Sequence, residues 1–429
     1  MPAAVLSIGT ELTRGELVNS NASWIAEELT TLGFDVQAHL TVADDLSTIA
    51  EELARLGERA EVVVCTGGLG PTSDDVTSAA AAKAAGVSLD RDESVLAHLE
   101  RLYASKGRQL LDSNAKQADF PQGATVLPNS EGTAPGFEVA VGKARCFFLP
   151  GVPREMRAMF HKSVRPAVGD LGARDTHQVH IRSFGLPESE VAELLTDLEA
   201  AHEGLTLGYR AHFPEIEVKV HARAGSASEA EAKAAAVAEI VRDRLGEAAF
   251  GDRDDTFASI VGERLRAKKL TLAVAESCTG GMIGSMITDV PGSSDYLLLD
   301  AVTYANSAKT QILGVEQDVL RAYGAVSAEC AGAMAEGARR VADSDVAVAT
   351  TGIAGPGGGS DLKPVGTVWF GLARRDQPTL MFRHQLSGDR DRVRRRAAYL
   401  ALDLVRRVAE GWDLGKGPSF STCEEILGL

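Results

Sequence analysis

The sequence predicts an α/β protein in which two α/β domains with mostly parallel sheets are joined by a small α+β (βαββα) middle domain. Strand and helix signals alternate through residues 1–170 and again through residues 255–412. Residues 175–250 follow a βαββα order and contain no glycine-rich loop. Residues 413–429 form a tail to which the sequence assigns no partner. The length of 429 residues agrees with two or three domains.

The first domain shows the most regular alternation of strands and helices. A helix is predicted over Asn21 to Leu32, with Asn19 or Asn21 as its N-cap and Gly33 as its end. The other elements predicted here are strands at 3–8, 34–42, 61–66 and 146–149 and helices at 46–59 and 75–85. This order implies a parallel sheet covered on both faces.

The remaining two domains differ in their patterns. The middle domain is predicted as strands at 177–184, 205–209 and 215–223 and helices at 187–200 and 228–245. Because it offers few catalytic groups, we interpret it as a spacer or dimerisation module rather than a third active site. The last domain is predicted as strands at 270–275, 297–304, 346–350 and 366–372, with helices at 279–288, 306–313, 317–322, 328–341 and 390–408.

Composition and charge exclude several classes of function. The chain is 45% hydrophobic and 24% charged, as soluble globular proteins are. Its net charge of −16 argues against sequence-independent binding of nucleic acid, which needs basic surface. The five cysteines are scattered and form no CxxC, so neither a disulfide framework nor a zinc site is expected. No export signal or long apolar run is evident, so we expect a cytoplasmic protein without a membrane span.

A glycine-rich turn follows a buried strand of the first domain, in TGGLGPTSDDVT. Gly67, Gly68 and Gly70 would let backbone N–H groups approach a phosphate closely. The neighbouring carboxylates Asp74 and Asp75 would repel that phosphate unless a cation lay between them. A hard divalent metal with oxygen ligands is therefore implied.

Two further acids follow strand ends of the same predicted sheet. Glu11 and Asp44 stand after the first two strands, and the carboxyl ends of parallel strands share one edge. The four acids could therefore converge on the metal, with Glu11 or Asp74 as the base that activates water. In the alternative interpretation, Asp74 or Asp75 only caps the helix that follows.

Six segments of the first domain carry a family resemblance: GTELTRGELVNSNASWIAEEL, TVADD, CTGGLGPTSDDVT, NAKQA, NSEGTAPGF and LPGVPREM. They resemble the N-terminal half of the competence/damage-inducible CinA family, which is similar to MoaB/MogA-like molybdopterin-binding domains. The resemblance implies a metal-dependent pyrophosphatase that converts ADP-ribose to AMP and ribose 5-phosphate. The implied cofactor is a divalent cation such as Mg²⁺, with K⁺ as a further candidate.

The resemblance also assigns residues to the first site. Asp75 matches the family's acid before Val-Thr, and Asp44 matches the acid of its V-x-D-D motif. Lys116 would hold phosphate charge, and the family often has leucine where Thr13 stands, away from the chemistry. The substrate-binding residues expected here are Gly67, Gly68, Gly70, Asn21, Asn114 and Lys116, and Gln117 completes the N-x-K-Q motif.

A second candidate site begins at Ser277 in AESCTGG, between a predicted strand and a predicted helix. Backbone N–H groups of Thr279, Gly280 and Gly281 lie close by in the sequence, and such a turn can form an oxyanion hole. The turn is not a G-x-S-x-G elbow, so the signature of the α/β-hydrolase fold is absent.

A serine nucleophile needs a base, and His384, the one histidine of this domain, lies outside the motifs. Lys309 is the best available base, because burial lowers the pKa of a lysine toward neutrality. Tyr304, at the end of the predicted strand that precedes Lys309, could relay a proton or orient the Lys309 amine. The alternatives are that Ser277 only caps a helix, that Cys278 is the nucleophile or simply packs, and that Lys309 is solvent-exposed.

The last domain also carries a family resemblance, in AESCTGG, VPGSSDYLLLDAVTYANSAKTQILGV, GAVSAECAGAMAEGA, TTGIAGPGGGSDLKPVGTVWFGL and SGDRDRVRRRAAYLAL. These segments resemble the CinA C-terminal domain, which is similar to nicotinamide mononucleotide (NMN) deamidases. The resemblance implies conversion of NMN to nicotinate mononucleotide and ammonia without a cofactor. It places the family's serine, lysine and tyrosine on Ser277, Lys309 and Tyr304.

Two loops of the last domain are expected to bind the rest of NMN. Thr351, Gly352 and Gly355 would line the ribose and phosphate pocket, together with the Thr279–Gly281 turn. Arg390 and Arg394 lie one helical turn apart and match the family's G-D-R-x-x-V-R pattern, which implies contact with the NMN phosphate. A basic run of this kind is otherwise a solvated helix face.

Three functions remain open at this point. The first is a bifunctional enzyme that recycles pyridine nucleotides, with NMN and ADP-ribose as ligands and a homodimer implied by the family. In the second, the first domain only binds a pterin or nucleotide, and the deamidase alone is catalytic. In the third, the whole chain is a non-catalytic, competence-linked protein.

Overall fold

The computed structural model describes residues 1–105, 107–169, 171, 176–420 and 423–428. The chain divides into two compact units, Met1–His177 with Arg223–Glu231 and Gln178–Ala222 with Ala232–Leu429. The domain limits predicted at residues 170 and 175 lie outside the described residues. The α/β fold class is confirmed, and each large sheet joins parallel strands to an antiparallel edge.

The first unit contains eight strands and eight α-helices among its described residues. The strands are β1 Pro2–Ile8, β2 Asp35–Val42, β3 Val62–Thr66, β4 Leu89–Arg91, β5 Asp119–Pro121, β6 Thr125–Leu127, β7 Gly136–Val141 and β8 Ala144–Leu149. The helices are α1 Thr10–Thr13, α2 Ser20–Thr31, α3 Leu46–Arg59, α4 Thr77–Ala85, α5 Glu93–Ser105, α6 Asp112–Ala115, α7 Pro153–Met159 and α8 Arg165–Val168.

The main sheet of this unit has the strand order β2-β1-β3-β8-β7-β6. Strands β2, β1, β3 and β8 run parallel, while β7 and β6 pair antiparallel at one edge. The central strand β3 is buried along its whole length, as a strand covered on both faces must be. Alternate residues of β1 therefore enter two different cores, with Leu6 on one face and Val5 on the other.

The elements from β9 onward belong to the second unit, apart from residues 176–177 and 223–231, which group with the first. Its strands are β9 Thr176–Phe184, β10 Leu205–His212, β11 Glu215–Arg223, β12 Ala249–Gly251, β13 Leu272–Glu276, β14 Leu297–Val302, β15 Val346–Gly352, β16 Thr367–Arg374, β17 Gln377–Gln385 and β18 Cys423–Gly428. Its helices are α9 Glu188–Leu194, α10 Leu198–Ala201, α11 Ala227–Leu245, α12 Phe257–Lys268, α13 Met282–Thr288, α14 Asn306–Leu313, α15 Gln317–Tyr323, α16 Ala328–Ala342 and α17 Arg390–Glu410.

Two sheets organise the second unit. A four-stranded sheet has the order β10-β11-β9-β12, and a six-stranded sheet has the order β14-β13-β15-β16-β17-β18. In the larger sheet β14, β13 and β15 run parallel, so their carboxyl ends share one edge. Strands β16 to β18 complete the sheet in antiparallel fashion.

Several predicted boundaries were wrong for local reasons. The helix predicted at 75–85 begins at Thr77, so Asp75 lies outside it and Val76 occupies the N-cap without a side-chain bond. The helix predicted at 279–288 begins at Met282, because Gly280 and Gly281 both have positive φ. The single helix predicted at 187–200 is two short helices, α9 and α10.

The prediction also missed elements that tertiary pairing creates. Strands β12 and β17 and helix α12 were not assigned, and β10 extends beyond Tyr209 to His212. The tail was left without a partner, but its backbone at Cys423–Gly428 forms β18 beside β17. Residues 421, 422 and 429 of the tail lie outside the described residues. Edge pairing of this kind depends on a neighbouring strand rather than on local periodicity.

Candidate functional sites

The first candidate site is a cavity of about 580 Å³ at the carboxyl edge of β1, β2, β3 and β8. It contains the four acids that the sequence analysis selected, because each follows an element ending at that edge. The predicted residues that line it are Glu11, Asn21, Asp44, Gly67, Gly68, Gly70, Asp74 and Asp75.

The glycine turn brings backbone close to this cavity. Gly67 and Gly68 have φ of 109° and 66°, in the left-handed region that favours glycine. A Cβ atom on Gly67 would collide with the carbonyl oxygen of Ile8, and one on Gly68 would collide with the hydroxyl of Thr77. The turn therefore requires glycine at both positions for steric reasons within the protein itself.

Two of the acids are held in the same way by a neighbouring threonine. The Asp44 Oδ2 atom accepts hydrogen bonds from the Thr10 backbone N–H at 2.7 Å and from its hydroxyl at 2.8 Å. The Asp75 Oδ2 atom accepts from the Thr72 N–H at 2.8 Å and from its hydroxyl at 2.5 Å. Neither carboxylate caps the helix that follows it. Asp45 is the N-cap of α3, and Val76 is the N-cap of α4. Both carboxylates are thus fixed by one oxygen each.

The acids fit a hard divalent cation by the chemistry of their donors. All four are carboxylates on one cavity, and no ion pair with a described residue neutralises them. Within the described part of the chain, no three of their oxygen atoms lie within 4.8 Å of one another. Four converging ligands, as the sequence analysis expected, are therefore not formed by the protein alone.

The N-x-K-Q residues occupy different positions from those expected. The Asn114 amide is buried and donates to the Tyr103 hydroxyl at 2.8 Å, away from the cavity. Lys116 donates to the backbone oxygens of Thr72 and Asp75, the latter at 3.0 Å. Its ammonium group therefore ties the acidic loop in place and lines a smaller cavity of about 150 Å³ behind the glycine turn.

Three further side chains complete the description of the first cavity. Asn21 donates to the Gly151 carbonyl at 2.8 Å, while Asn19, not Asn21, caps helix α2. Gln117 of the N-x-K-Q motif lines both cavities. Glu155 also lines the larger cavity and was not predicted, although it stands in the LPGVPREM segment.

The second candidate site lies where β13, β14 and β15 end, around Ser277 and Lys309. The Lys309 Nζ atom is 3.1 Å from the Ser277 hydroxyl, 2.7 Å from the Thr303 carbonyl oxygen and 3.4 Å from that of Tyr304. Lys309 is 1% exposed, and burial lowers its pKa. The alternative of a solvent-exposed Lys309 is therefore wrong.

The turn after Ser277 is shaped by Glu276, which the sequence analysis did not select. Its fully buried carboxylate accepts hydrogen bonds from the N–H groups of Gly281 and Gly284, both at 2.9 Å. The Gly281 N–H, expected in an oxyanion hole, is thus already used. Gly281, with no side-chain bond, is the N-cap of α13, so the interpretation of Ser277 as a helix cap is also wrong. The acid preceding the serine was the signal for this role.

Cys278 is unsuited to act as the nucleophile. It is 6% exposed, and burial raises the pKa of its thiol to about 12. The thiolate, which is the reactive form, is therefore scarce at neutral pH. This leaves Ser277 as the nucleophile candidate beside Lys309.

The surrounding cavity measures about 290 Å³. The predicted residues that line it are Ser277, Tyr304, Lys309, Thr351, Gly352, Gly355 and Arg390. Arg390 donates to the Gly355 carbonyl oxygen at 2.8 Å and to the Tyr304 hydroxyl at 3.2 Å. The Tyr304 phenol therefore contacts Arg390, and only the backbone oxygen of Tyr304 orients the Lys309 amine.

Four residues predicted to bind substrate do not line the cavity and instead shape the turn after Ser277. Arg394 donates to the Thr279 carbonyl oxygen at 2.8 Å and does not line the cavity. The Thr279 hydroxyl is hydrogen-bonded to that of Thr350 at 2.7 Å. Gly280 and Gly281, with φ of 63° and 88°, form the turn behind Ser277. These residues set the position of the serine rather than the wall of the pocket.

A second carboxyl group stands behind the turn, at Asp300 on the edge strand β14. A Cβ atom on Gly284 would collide with the Asp300 carboxylate, so the glycine is needed for this packing. The residue as a whole is exposed, but burial of its carboxyl group against Gly284, with the charge of Glu276, raises the pKa of Asp300 to about 7. Asp300 thus retains a proton that an unfolded chain would lose at lower pH.

The substitution Asp300→Asn tests the interaction between the carboxyl groups of Asp300 and Glu276. Between about pH 4 and pH 7 the folded wild-type chain binds more protons than the unfolded chain, so its stability falls as the pH rises. The asparagine variant lacks this dependence. We expect the melting temperature of wild type, relative to the variant, to decrease between pH 5 and pH 8 in thermal unfolding scans. A difference in melting temperature that does not change with pH would contradict the raised pKa of Asp300.

No described helix of the chain is long and apolar enough to cross a membrane.

Comparison with known proteins places three family models in series along the chain. Residues 4–170 match the model described as "Probable molybdopterin binding domain". Residues 178–251 match the damage-inducible protein CinA KH domain, and residues 254–409 match the CinA C-terminal domain.

Curated relatives match nearly the whole chain. The CinA-like protein of Geobacter sulfurreducens is 46% identical over 409 residues, covering 95% of this chain and 99% of the relative. The CinA-like protein of Geobacter metallireducens is 44% identical, with the same coverage. A solved CinA structure from Thermoplasma acidophilum is 37% identical over 38% of this chain and 96% of its own, with a TM-score of 0.37. The chain therefore belongs to the CinA family.

Proposed function

We propose that the second site hydrolyses the carboxamide of NMN to nicotinate mononucleotide and ammonia. The observation that carries this proposal is the set of contacts around the buried Lys309 amine. A neutral amine has two N–H bonds and one lone pair. In this neutral form the carbonyl oxygens of Thr303 and Tyr304 would accept hydrogen bonds from the two N–H groups, and the lone pair would then face the Ser277 hydroxyl, 3.1 Å away.

The reaction follows from this arrangement. The Ser277 oxygen bonds to the carboxamide carbon while its proton moves to the Lys309 amine. The tetrahedral intermediate collapses with loss of the C–N bond, and Lys309 returns the proton to the departing ammonia. Water then attacks the acyl ester, Lys309 accepts its proton, and Ser277 leaves with that proton restored. Of the N–H groups expected in an oxyanion hole, those of Thr279 and Gly280 remain candidates, because that of Gly281 is bound to Glu276.

Ammonia release from NMN tests this proposal. Wild-type protein should release ammonia stoichiometrically with nicotinate mononucleotide, and Ser277→Ala should release none above background. The alternative, a non-catalytic chain, is supported if wild type with an intact Ser277 and Lys309 shows no turnover.

We further propose that the first site is a metal-dependent ADP-ribose pyrophosphatase. A divalent cation bound by Asp44 and Asp75 would supply charge stabilisation and activate water. The Gly67–Gly70 turn would hold the pyrophosphate. Glu11 and Asp74 both line the cavity and are the two candidate bases for this water. Water attack on phosphorus breaks the P–O–P bridge and gives AMP and ribose 5-phosphate.

The competing function for this site is pterin binding without catalysis, which the match to a molybdopterin-binding model favours. Chromatography of ADP-ribose incubated with the protein and Mg²⁺ separates the two. AMP and ribose 5-phosphate in equal amounts support the pyrophosphatase. Unchanged ADP-ribose together with saturable binding of molybdopterin supports the binding role.

A further inference from the structure

Helix α17 contacts the second site with one face and the four-stranded sheet with another. We call residues 178–251 the middle module. Residues 390 and 394 are one turn apart on the face toward the site, whereas residues 392 and 399 share a face that lies roughly opposite. Asp389 caps the helix by accepting from the Arg392 N–H at 2.9 Å. The first three turns of α17 thus stand between the site and the middle module.

The face toward the site holds two backbone segments. Arg394 donates to the Thr279 carbonyl oxygen at 2.8 Å, in the turn that carries Ser277. Arg390 donates to the Gly355 carbonyl oxygen at 2.8 Å, in the glycine loop that forms the opposite wall. A displacement of the helix would therefore move both walls of the cavity.

The opposite face of α17 packs against the hairpin of β10 and β11. The Arg392 guanidinium lies over the Phe213 ring, 4.9 Å from its centre, at the tip of the hairpin. The Tyr399 hydroxyl donates to Glu215 at 2.6 Å, and Arg182 donates to the same carboxylate at 2.9 Å. Glu215 is 2% exposed, and a carboxylate so buried requires such donors. Burial raises the pKa of Tyr399, so its phenol keeps the proton that it donates.

The hairpin is also anchored through a shared core. The rings of Phe184 and Phe250 from the middle module lie 5.2 Å and 4.9 Å from that of Phe257 in α12. Phe257 in turn stacks on Tyr399, with ring centres 5.2 Å apart. Aromatic contacts of this kind leave little freedom between the module and the helix.

We infer that the β10–β11 hairpin of the middle module positions the second site, through Phe213 and Glu215, by fixing the first three turns of α17. This inference rests on the proposed deamidase function. The module would set how tightly the site binds an anionic nucleotide substrate, and it would do so through α17, without contacting Ser277 or Lys309 itself. Phe213 and Glu215 are positioning residues in this account.

The experiment uses the full chain with Phe213→Ala and Tyr399→Phe, and with His212→Ala as the control from the same hairpin tip. Phe213 and His212 are both exposed, so these variants should fold. We expect KM for NMN to rise about 3- to 10-fold in both test variants, with kcat within about twofold of wild type. Hydrogen exchange in peptides covering residues 276–284 and 352–366 should become faster in parallel.

Three outcomes decide the inference. Raised KM with faster exchange in those two segments, in the hairpin and in the first three turns of α17, but not elsewhere, and with His212→Ala unchanged, would support it. Unchanged KM and exchange in both test variants would overturn it, as would faster exchange spread over residues 367–385, which indicates general loosening. If wild type releases no ammonia, the deamidase proposal fails, and exchange alone still decides whether the hairpin fixes the two site loops.

Discussion

Replacing Lys309 by methionine or by arginine is expected to lower kcat/KM for NMN deamidation by at least about 100-fold, the scale of a lost general base. Methionine keeps the length of the buried side chain without a lone pair on nitrogen. Arginine keeps the charge but does not deprotonate in the accessible pH range. The two variants together therefore separate a role as base from a role as a fixed charge. Ammonia release under saturating and limiting NMN is the measurement.

The pH dependence gives a second measure of the same group. Because burial lowers the pKa of Lys309 below the ordinary lysine value of 10.5, wild-type kcat/KM should rise with pH along a limb that lies below 10.5. Between the lowered pKa and 10.5 the unfolded chain binds more protons, so wild-type stability should also rise with pH relative to Lys309→Met. Retention of more than a tenth of the wild-type rate in either variant would exclude Lys309 as the general base.

Replacing Asp44 or Asp75 by asparagine is expected to lower ADP-ribose hydrolysis at the first site by at least about 100-fold. The amide oxygen can still accept the hydrogen bonds of Thr10 or Thr72, so the loops should remain in place while the ligand charge is lost. Formation of AMP at several Mg²⁺ concentrations is the measurement. Ammonia release from NMN should be unchanged in both variants, because the second site uses other residues.

Asp45 offers a matched control for this experiment. It is the next residue in the chain, but its carboxylate caps helix α3 by accepting from the Thr48 N–H at 2.9 Å, and it does not line the cavity. Asp45→Asn should therefore hydrolyse ADP-ribose within about twofold of wild type, since asparagine is also a good N-cap. Equal losses in Asp44→Asn and Asp45→Asn would show that the loop, rather than a metal-binding carboxylate, accounts for the effect.

The pairing of Ser277 with Lys309 could be predicted because it depends on a general rule. The carboxyl ends of parallel strands meet at one edge, and the serine and the lysine follow neighbouring strands. The same rule brought Glu11, Asp44 and Asp75 to one cavity in the first unit. Sequence periodicity was sufficient for these elements because the buried strands are short apolar runs.

The orientation of individual side chains could not be predicted in this way. Glu276 takes the Gly281 N–H, Lys116 binds backbone oxygens, and the Tyr304 phenol turns toward Arg390. The contacts of Lys116 and Tyr304 arise only when distant segments pack together, whereas the Glu276 contact is local and depends on the positive φ of Gly280 and Gly281. Strand β17 and the edge strand β18 were missed because each is stabilised by its neighbours in the sheet rather than by its own pattern.

The central claim, a serine nucleophile activated by a buried lysine, is tested most directly by trapping the acyl-enzyme. Wild-type protein is mixed with excess NMN, quenched in acid after a short interval and examined by intact mass and peptide mass spectrometry. The account predicts a mass increment of one nicotinate mononucleotide acyl group on Ser277, formed equally with and without a metal chelator and absent from Ser277→Ala. Ammonia release from NMN with an adduct on Cys278, or with undiminished turnover in Ser277→Ala, would contradict it.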